Sequence, residues 1–297
     1  MDLGKLVVGF VVFLIVYIGY TGQYIFYKYY EEISAQFVLL LIIYNVLVIL
    51  LLHNYYLAVT TDPGKVPKGW APDPNAPYLQ VKKSNSKPRF CKTCKQYKPP
   101  RTHHCSSCER CVLKMDHHCP WLNNCVGYYN FGHFIRFIFY VNITTGISFY
   151  IFVRYLILLF DTTYYIKRYN SITSFDIFIL VSNLVLCTPT FICVLFLSAY
   201  QFYSVCENTT TIENMEKDKV ASLVKSGKLT EVKFPYDLGV IKNIKSVLGE
   251  RVFLWLWPQE MKGDGVSFEI KLYEDEEGVV WPPPEYSHHK NKREGNY

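Results

Sequence analysis

Residues 91–125 read CKTCKQYKPPRTHHCSSCERCVLKMDHHCPWLNNC, and this stretch holds seven of the chain's ten cysteines and four of its eight histidines. They recur as Cys91-x2-Cys94, as Cys105-x2-Cys108-x2-Cys111, and as the run Asp116-His117-His118-Cys119. A structural zinc takes four tetrahedral Cys or His ligands, and a Cys-x2-Cys turn can offer two sulfurs to one ion. Two ions therefore need two sets of four donors. The stretch supplies eleven (Cys91, Cys94, His103, His104, Cys105, Cys108, Cys111, His117, His118, Cys119 and Cys125), so three are surplus to a two-zinc site. Clustered cysteines in a chain without a cleavable leader are expected to be metal-bound thiolates in a reducing compartment, not a disulfide framework.

Outward from this window the 297-residue chain turns apolar. Half of its residues are hydrophobic, 17% are aromatic and its mean hydropathy is slightly positive, the composition of a mixed membrane and cytosolic protein. Residues 6–27 (LVVGFVVFLIVYIGYTGQYIFY) carry no charge, long enough for a bilayer core that takes about 20 helical residues. Residues 37–57, 134–160 and 177–203 are three further candidate spans. Between Ala58 and His133 hydropathy collapses and a dozen Lys and Arg residues appear. The positive-inside rule puts that segment in the cytosol, and four spans then leave both termini there as well. The division that follows is 1–57 for the first two helices, 58–133 for a linker and the cysteine-rich domain, 134–203 for helices three and four, and 204–297 for a cytosolic C-terminal region.

Several smaller expectations attach to these spans. Arg136, near the start of the third, is expected to snorkel to the cytosolic interface and Arg154 to the opposite one. Cys187 and Cys193 read as small apolar packing residues. Asn243 to Leu248 reads as a short helix ended by Gly249, and VFLWLWP (252–258) as an aromatic run suited to the membrane interface. The net charge of +6 is modest, and with no basic reading face nucleic-acid binding is not expected. A transporter would need charged or broken helices near the bilayer midplane, and no such pair is evident.

The surplus donors carry the chemistry. A cysteine attacks only as its thiolate, and a neighbouring imidazolium or metal lowers its pKa from about 8.5 toward neutrality. In Asp116-His117-His118-Cys119 one histidine can bind zinc while the other contacts a thiol and the acid orients an imidazole. The alternative is that all four are ligands or their hydrogen-bond partners, with Cys119 a bystander; the protein would then be a zinc-ribbon adaptor on a membrane anchor.

The window is similar throughout to the Asp-His-His-Cys cysteine-rich domain of the protein S-acyltransferases, the DHHC palmitoyltransferases, and the four-helix layout matches that family. The resemblance implies one zinc on Cys91, Cys94, His104 and Cys111 and a second on Cys105, Cys108, His118 and Cys125, both structural. It makes Cys119 the nucleophile, His117 its base and Asp116 the orienting acid. Asp62-Pro63-Gly64 resembles the family's Asp-Pro-Gly element, and Thr210-Thr211-Ile212-Glu213 its Thr-Thr-x-Glu motif, in which the position of Thr211 approaches the catalytic acid and Glu213 supports it. Phe234 to Gly239 with Asn243 resembles the C-terminal aromatic and asparagine element, although Phe234 stands where many relatives have asparagine. The implied activity is transfer of a long acyl chain from acyl-CoA, such as palmitoyl-CoA, to cysteines of membrane-associated proteins through an acyl-Cys119 thioester. Trp121 would lie near the head of the acyl chain and Thr144 near its far end. The C-terminal region looks closest to a fungal branch of the endoplasmic reticulum, with the Golgi as the other membrane considered.

Overall fold

A computed structural model of the chain describes residues 3–29, 34–73, 87–161, 172–228 and 234–271. Residues 74–86 of the linker and 272–297 of the C-terminal region lie outside these residues. Four helices are long and apolar enough to cross a membrane: α1 (Leu3–Tyr29), α2 (Ala35–Thr60), α3 (Phe131–Leu159) and α4 (Ser174–Cys206). Most of their large side chains outside the bundle, such as Phe10, Leu39, Ile49 and Phe196, are exposed apolar groups, as a lipid-facing surface requires. The protein is a multi-pass integral membrane protein.

The second and fourth helices start before their apolar windows because polar caps, not hydropathy, set those ends. Ser34 accepts the Phe37 N–H at the start of α2, and Thr173 forms a reciprocal capping box with Asp176 at the start of α4. Asp176 also accepts hydrogen bonds from Tyr24 Oη (2.7 Å) and Lys28 Nζ (2.6 Å), tying α1 to α4 at that end. Deeper in the bundle, Tyr44 and Ser148 join α2 to α3 at 2.7 Å. Cys187 is buried and donates to the Thr145 carbonyl at 3.3 Å, whereas Cys193 is exposed and lines a cavity instead of packing between helices.

Arg136 does not snorkel. It is 2% exposed, and its guanidinium donates to the carbonyls of Trp255 (2.8 Å) and Leu248 (2.9 Å). The C-terminal segment folds back over the first turns of α3 and offers these two carbonyls. That segment contains α5 (Thr211–Lys225), α6 (Val240–Leu248) and a short 3-10 turn at Val252–Leu254. The sixth helix begins three residues before the expected Asn243, because Gly239, at φ +94°, makes the entry turn. The aromatic run is split: Phe253 and Trp257 are exposed, while Trp255 donates its indole N–H to the Gly249 carbonyl.

Between α2 and α3 the cysteine-rich domain is three two-stranded antiparallel hairpins: β1–β2 (Phe90–Cys91, Gln96–Tyr97), β3–β4 (His103–Cys105, Arg110–Val112) and β5–β6 (His117–Cys119, Asn124–Val126). Short hairpins of this size are marginal in water, so cross-links must hold them. The second and third have the same register, with His104 opposite Cys111 and His118 opposite Cys125. Each of the three turns ends with one residue in the left-handed region, Lys95, Glu109 and Asn123, at φ 53°, 51° and 48°.

Candidate active site

The shared register explains which donors bind metal. Each Cys-x2-Cys turn points at the His and Cys of the hairpin that follows it. Cys91 and Cys94 meet His104 and Cys111, and Cys105 and Cys108 meet His118 and Cys125, with all four ligand atoms of each set within 4.8 Å of one another. His104 Nδ1 lies 3.6 and 3.3 Å from the Cys91 and Cys94 sulfurs, and His118 Nδ1 lies 3.6, 3.5 and 3.6 Å from those of Cys105, Cys108 and Cys125. Zinc bonds of about 2.3 Å to sulfur and about 2.0 Å to nitrogen at a tetrahedral angle give an S···N edge of about 3.5 Å. The donors therefore fit two four-coordinate ions. The third hairpin repeats the pattern as Cys119-x2-Leu122: the second cysteine is replaced by a buried leucine, and among the described residues no fourth hairpin follows. Cys119 is the cysteine that this arithmetic leaves without a metal. His103 sits outside both sets, against Arg89 Nη2 at 3.4 Å.

His117 and Cys119 alternate with the ligand His118 along β5, so they share the opposite face of the strand. His117 Nδ1 is 2.6 Å from Asp116 Oδ2. Asp116 is 1% exposed and accepts further bonds from the Thr211 N–H (2.7 Å), the Thr211 hydroxyl (2.9 Å) and Gln201 Nε2 (3.2 Å). The Thr211 N–H belongs to the first turn of α5, where free amides and the helix dipole favour an anion. Burial pushes the Asp116 carboxyl up, but His117 and the Thr211 donors outweigh it and hold the group below the usual carboxylate range. For His117, burial favours the neutral ring, yet the Asp116 hydrogen bond and Cys119 raise its pKa to about 9. At neutral pH the ring is an imidazolium beside Cys119.

Behind this row lies a residue whose role the sequence did not disclose. Arg101, 1% exposed, forks onto Glu213 through Nε (2.8 Å) and Nη2 (2.6 Å) and donates to both oxygens of Asn208. Its guanidinium lies 4.4 Å from the centre of the Tyr236 ring. Glu213 is also the partner of Thr210 in the capping box of α5. One carboxylate thus caps the helix and docks it to the cysteine-rich domain, and that docking presents Thr211 to Asp116. Asn243 stands away from the reacting groups. It donates to the Cys206 carbonyl (2.6 Å) and accepts from the Leu238 N–H (3.0 Å), joining the end of α4 to the turn before α6. Phe234 packs on Tyr236 and Val220, and Lys217 Nζ lies 5.2 Å from the centre of its ring.

Two asparagines fix the domain to the membrane. Asn124 Nδ2 reaches the carbonyls of Ala58, Val59 and Thr61, and Asn130 Nδ2 that of Ala58, covering the orphan carbonyls at the end of α2. Asp62 accepts from the Gly64 N–H (2.9 Å) and from Arg110 (3.0 Å). Cys119 is thereby held at the top of a cavity of about 590 Å³ between the four helices. His117, Cys119 and Trp121 lie at one end; Tyr44, Thr144 and Thr145 line its deeper walls. Phe134 packs on the His117 ring, and Thr144, ten residues further along α3, is about 15 Å deeper at helical rise. The Thr144 hydroxyl donates back to the Tyr140 carbonyl at 2.8 Å, leaving a small apolar surface. The Trp121 carbonyl accepts from Tyr55 Oη at 2.9 Å, which sets the tryptophan at the cavity entrance.

A family model described as DHHC palmitoyltransferase matches residues 84–218. Over 317 aligned positions the chain is 34% identical to the palmitoyltransferase pfa4 of Aspergillus fumigatus, covering 96% of this chain and 70% of that protein. The chain belongs to the DHHC palmitoyltransferase family. It is also 37% identical to palmitoyltransferase PFA4 of Mycosarcoma maydis over 94% of this chain, and 32% identical to palmitoyltransferase PFA4 of Saccharomyces cerevisiae over 91%. It spans 64% of the length of the Mycosarcoma protein and 80% of the Saccharomyces one. Among DHHC family members, then, this chain has fungal relatives along nearly its whole length.

Proposed function

We propose that this chain is a protein S-palmitoyltransferase that moves a long acyl chain from acyl-CoA to protein cysteines through a thioester on Cys119. The observation that carries the proposal is the junction of an Asp116–His117 pair and a metal-free Cys119 with a deep apolar cavity. An adaptor would have no use for that cavity.

In the first half-reaction the Cys119 thiolate attacks the thioester carbonyl of the donor. A carbon–sulfur bond forms to Cys119, the bond to coenzyme A breaks, and His117 delivers its proton to the departing thiolate. In the second half a substrate thiol gives its proton to His117 and attacks acyl-Cys119, which leaves as the thiolate. Asp116 holds the ring through Nδ1, so that Nε2 is the nitrogen available for both transfers. Exchange of one thioester for another is close to isoenergetic, so the protein's task is to position the reactants, supply a thiolate and exclude water. The acyl chain fits the apolar cavity, with Trp121 at its head and Thr144 on its deeper wall, while Thr211, Glu213 and Asn243 hold the surrounding elements.

Two zinc ions, one on Cys91, Cys94, His104 and Cys111 and one on Cys105, Cys108, His118 and Cys125, are the metals these donor sets suit. With four protein ligands each, they supply structure instead of an open coordination position. The positively charged segment between α2 and α3 supports a cytosolic position for the site and both termini, facing membrane-associated proteins with cytosolic cysteines. The endoplasmic-reticulum assignment rests on the resemblance of the C-terminal region to a fungal branch. The test is transfer from palmitoyl-CoA to a membrane-anchored cysteine peptide by the purified full chain. Transfer lost in Cys119→Ser supports the proposal, and transfer that persists in that variant rejects it.

A further inference from the structure

A second cavity, of about 660 Å³, opens on the cytosolic side between the cysteine-rich domain and the C-terminal segment. The two cavities have no lining residue in common, and the reaction above gives this one no task. Its floor is Lys114. That side chain is 5% exposed, and the oxygen given to its ammonium is Asn208 Oδ1, at a long 3.3 Å, already shared with Arg101. Among the described residues no carboxylate pairs with it; the Phe131 ring lies 5.9 Å away. Burial and the Arg101 charge push the Lys114 pKa down to about 7, Glu213 and Asp116 offset only part of that, and a single long hydrogen bond leaves the amine room for a further anionic partner.

The rim adds charge of the same sign. Arg251 and Lys262 line it, exposed and with no carboxylate partner among the described residues. Lys242 and Lys245 contact Glu269 and Glu250 at 3.6 and 3.3 Å. Exposed pairs of that kind hold weakly, and a stronger anion can recruit both lysines. Against these stands the carboxylate of Glu260, without a basic partner among the described residues. The two rings in the wall are engaged: Phe268 lies against Arg101 and Tyr236, and Tyr128 packs on Phe268. The volume is that of a small-molecule site, and lysines at several points around a compact space suit several phosphates on one small scaffold.

We propose that this cavity binds a multiply phosphorylated anion of the inositol-phosphate class, at a site separate from that of the acyl donor. The same chemistry arrives either as a free inositol phosphate or as a phosphoinositide headgroup. The lipid route is open because the Arg251 rim adjoins Phe253 and Trp257, which are 82% and 60% exposed.

The test uses the full chain and two probes. Inositol hexakisphosphate is titrated calorimetrically into detergent-solubilised protein. Nanodiscs of phosphatidylcholine with and without phosphatidylinositol 4,5-bisphosphate then report the lipid route through a change in thermal unfolding. The variants are Lys114→Met and the double rim variant Arg251→Ala with Lys262→Ala. Saturable binding of either probe, weakened at least tenfold in both variants, supports the site, and the responding probe identifies the source. Should Lys114→Met fail to fold, the exposed rim variant decides alone. Binding of neither probe, binding indifferent to the rim variant, or displacement of the probe by free coenzyme A overturns the proposal, the last by assigning the cavity to the donor.

Discussion

Replacing Arg101 with methionine tests how the cysteine-rich domain and the C-terminal region are joined. The substitution keeps much of the side-chain stem but removes two hydrogen bonds to Glu213, at 2.8 and 2.6 Å, two to Asn208, and a cation over the Tyr236 ring. Glu213 then remains fully buried, with its bonds inside the α5 capping box as compensation. Breaking a buried ion pair by removing one partner costs about 3–5 kcal/mol. A stabilising residue so far from the thiol should also affect chemistry, because α5 carries Thr211 to Asp116. The partner variant, Glu213→Leu, and the double variant complete a cycle. Since apolar replacement of both members of a buried pair is often neutral, the double variant should recover at least half of the stability lost by Arg101→Met. The assay is unfolding in detergent followed by intrinsic fluorescence, together with the rate of Cys119 acylation. The double variant should regain stability but not the full acylation rate, because the α5 cap loses its carboxylate. A cost below about 1 kcal/mol for Arg101→Met, or strictly additive losses, would refute the docking role.

Asp116→Asn removes the main support of the His117 charge. The folded-state pKa of about 9 is raised from 6.5, so the pair's contribution to stability is complete below pH 6.5 and disappears as pH rises through about 9. The stability gap between wild type and Asp116→Asn, measured by thermal unfolding, should therefore narrow between pH 7 and pH 10. Thr144→Phe should move donor preference toward shorter acyl chains by about thirtyfold or more per pair of carbons removed, since each methylene in an apolar pocket discriminates by about 1–3 kcal/mol. Competition between donors of different length, read by mass spectrometry, checks this; an unchanged preference rejects Thr144 as a lining residue that limits depth. Cys91→Ala should lower bound zinc from two ions to one and reduce unfolding resistance, whereas Cys119→Ser should keep both ions, as measured by elemental mass spectrometry.

The membrane helices were legible because a bilayer demands long uncharged runs, and nothing soluble imitates 22 such residues at 6–27. Their ends were not, since Ser34 and the Thr173–Asp176 box extend the helices into polar sequence. The metal donors stood out by density, yet spacing alone left eleven candidates. Hairpin register separates them, by setting His104 opposite Cys111 and His118 opposite Cys125 and by placing Leu122 where a third pair would close. Arg101 escaped notice because one arginine in a lysine-rich loop reads as topology, and its carboxylate partner lies 112 residues away. Arg136 departs from the snorkelling expectation for a related reason. Snorkelling assumes that water or a headgroup is the nearest acceptor, and here a returning backbone supplies two carbonyls.

The central claim is that Cys119, free of metal and beside a charged His117, carries the acyl chain. The direct measurement is the intact mass of purified protein after brief exposure to palmitoyl-CoA, beside Cys119→Ser and with hydroxylamine treatment of each. A single palmitoyl adduct on the wild type, released by hydroxylamine and missing from Cys119→Ser, is the predicted result. An adduct of equal size on Cys119→Ser, or none on a wild type that retains both zinc ions, would contradict it.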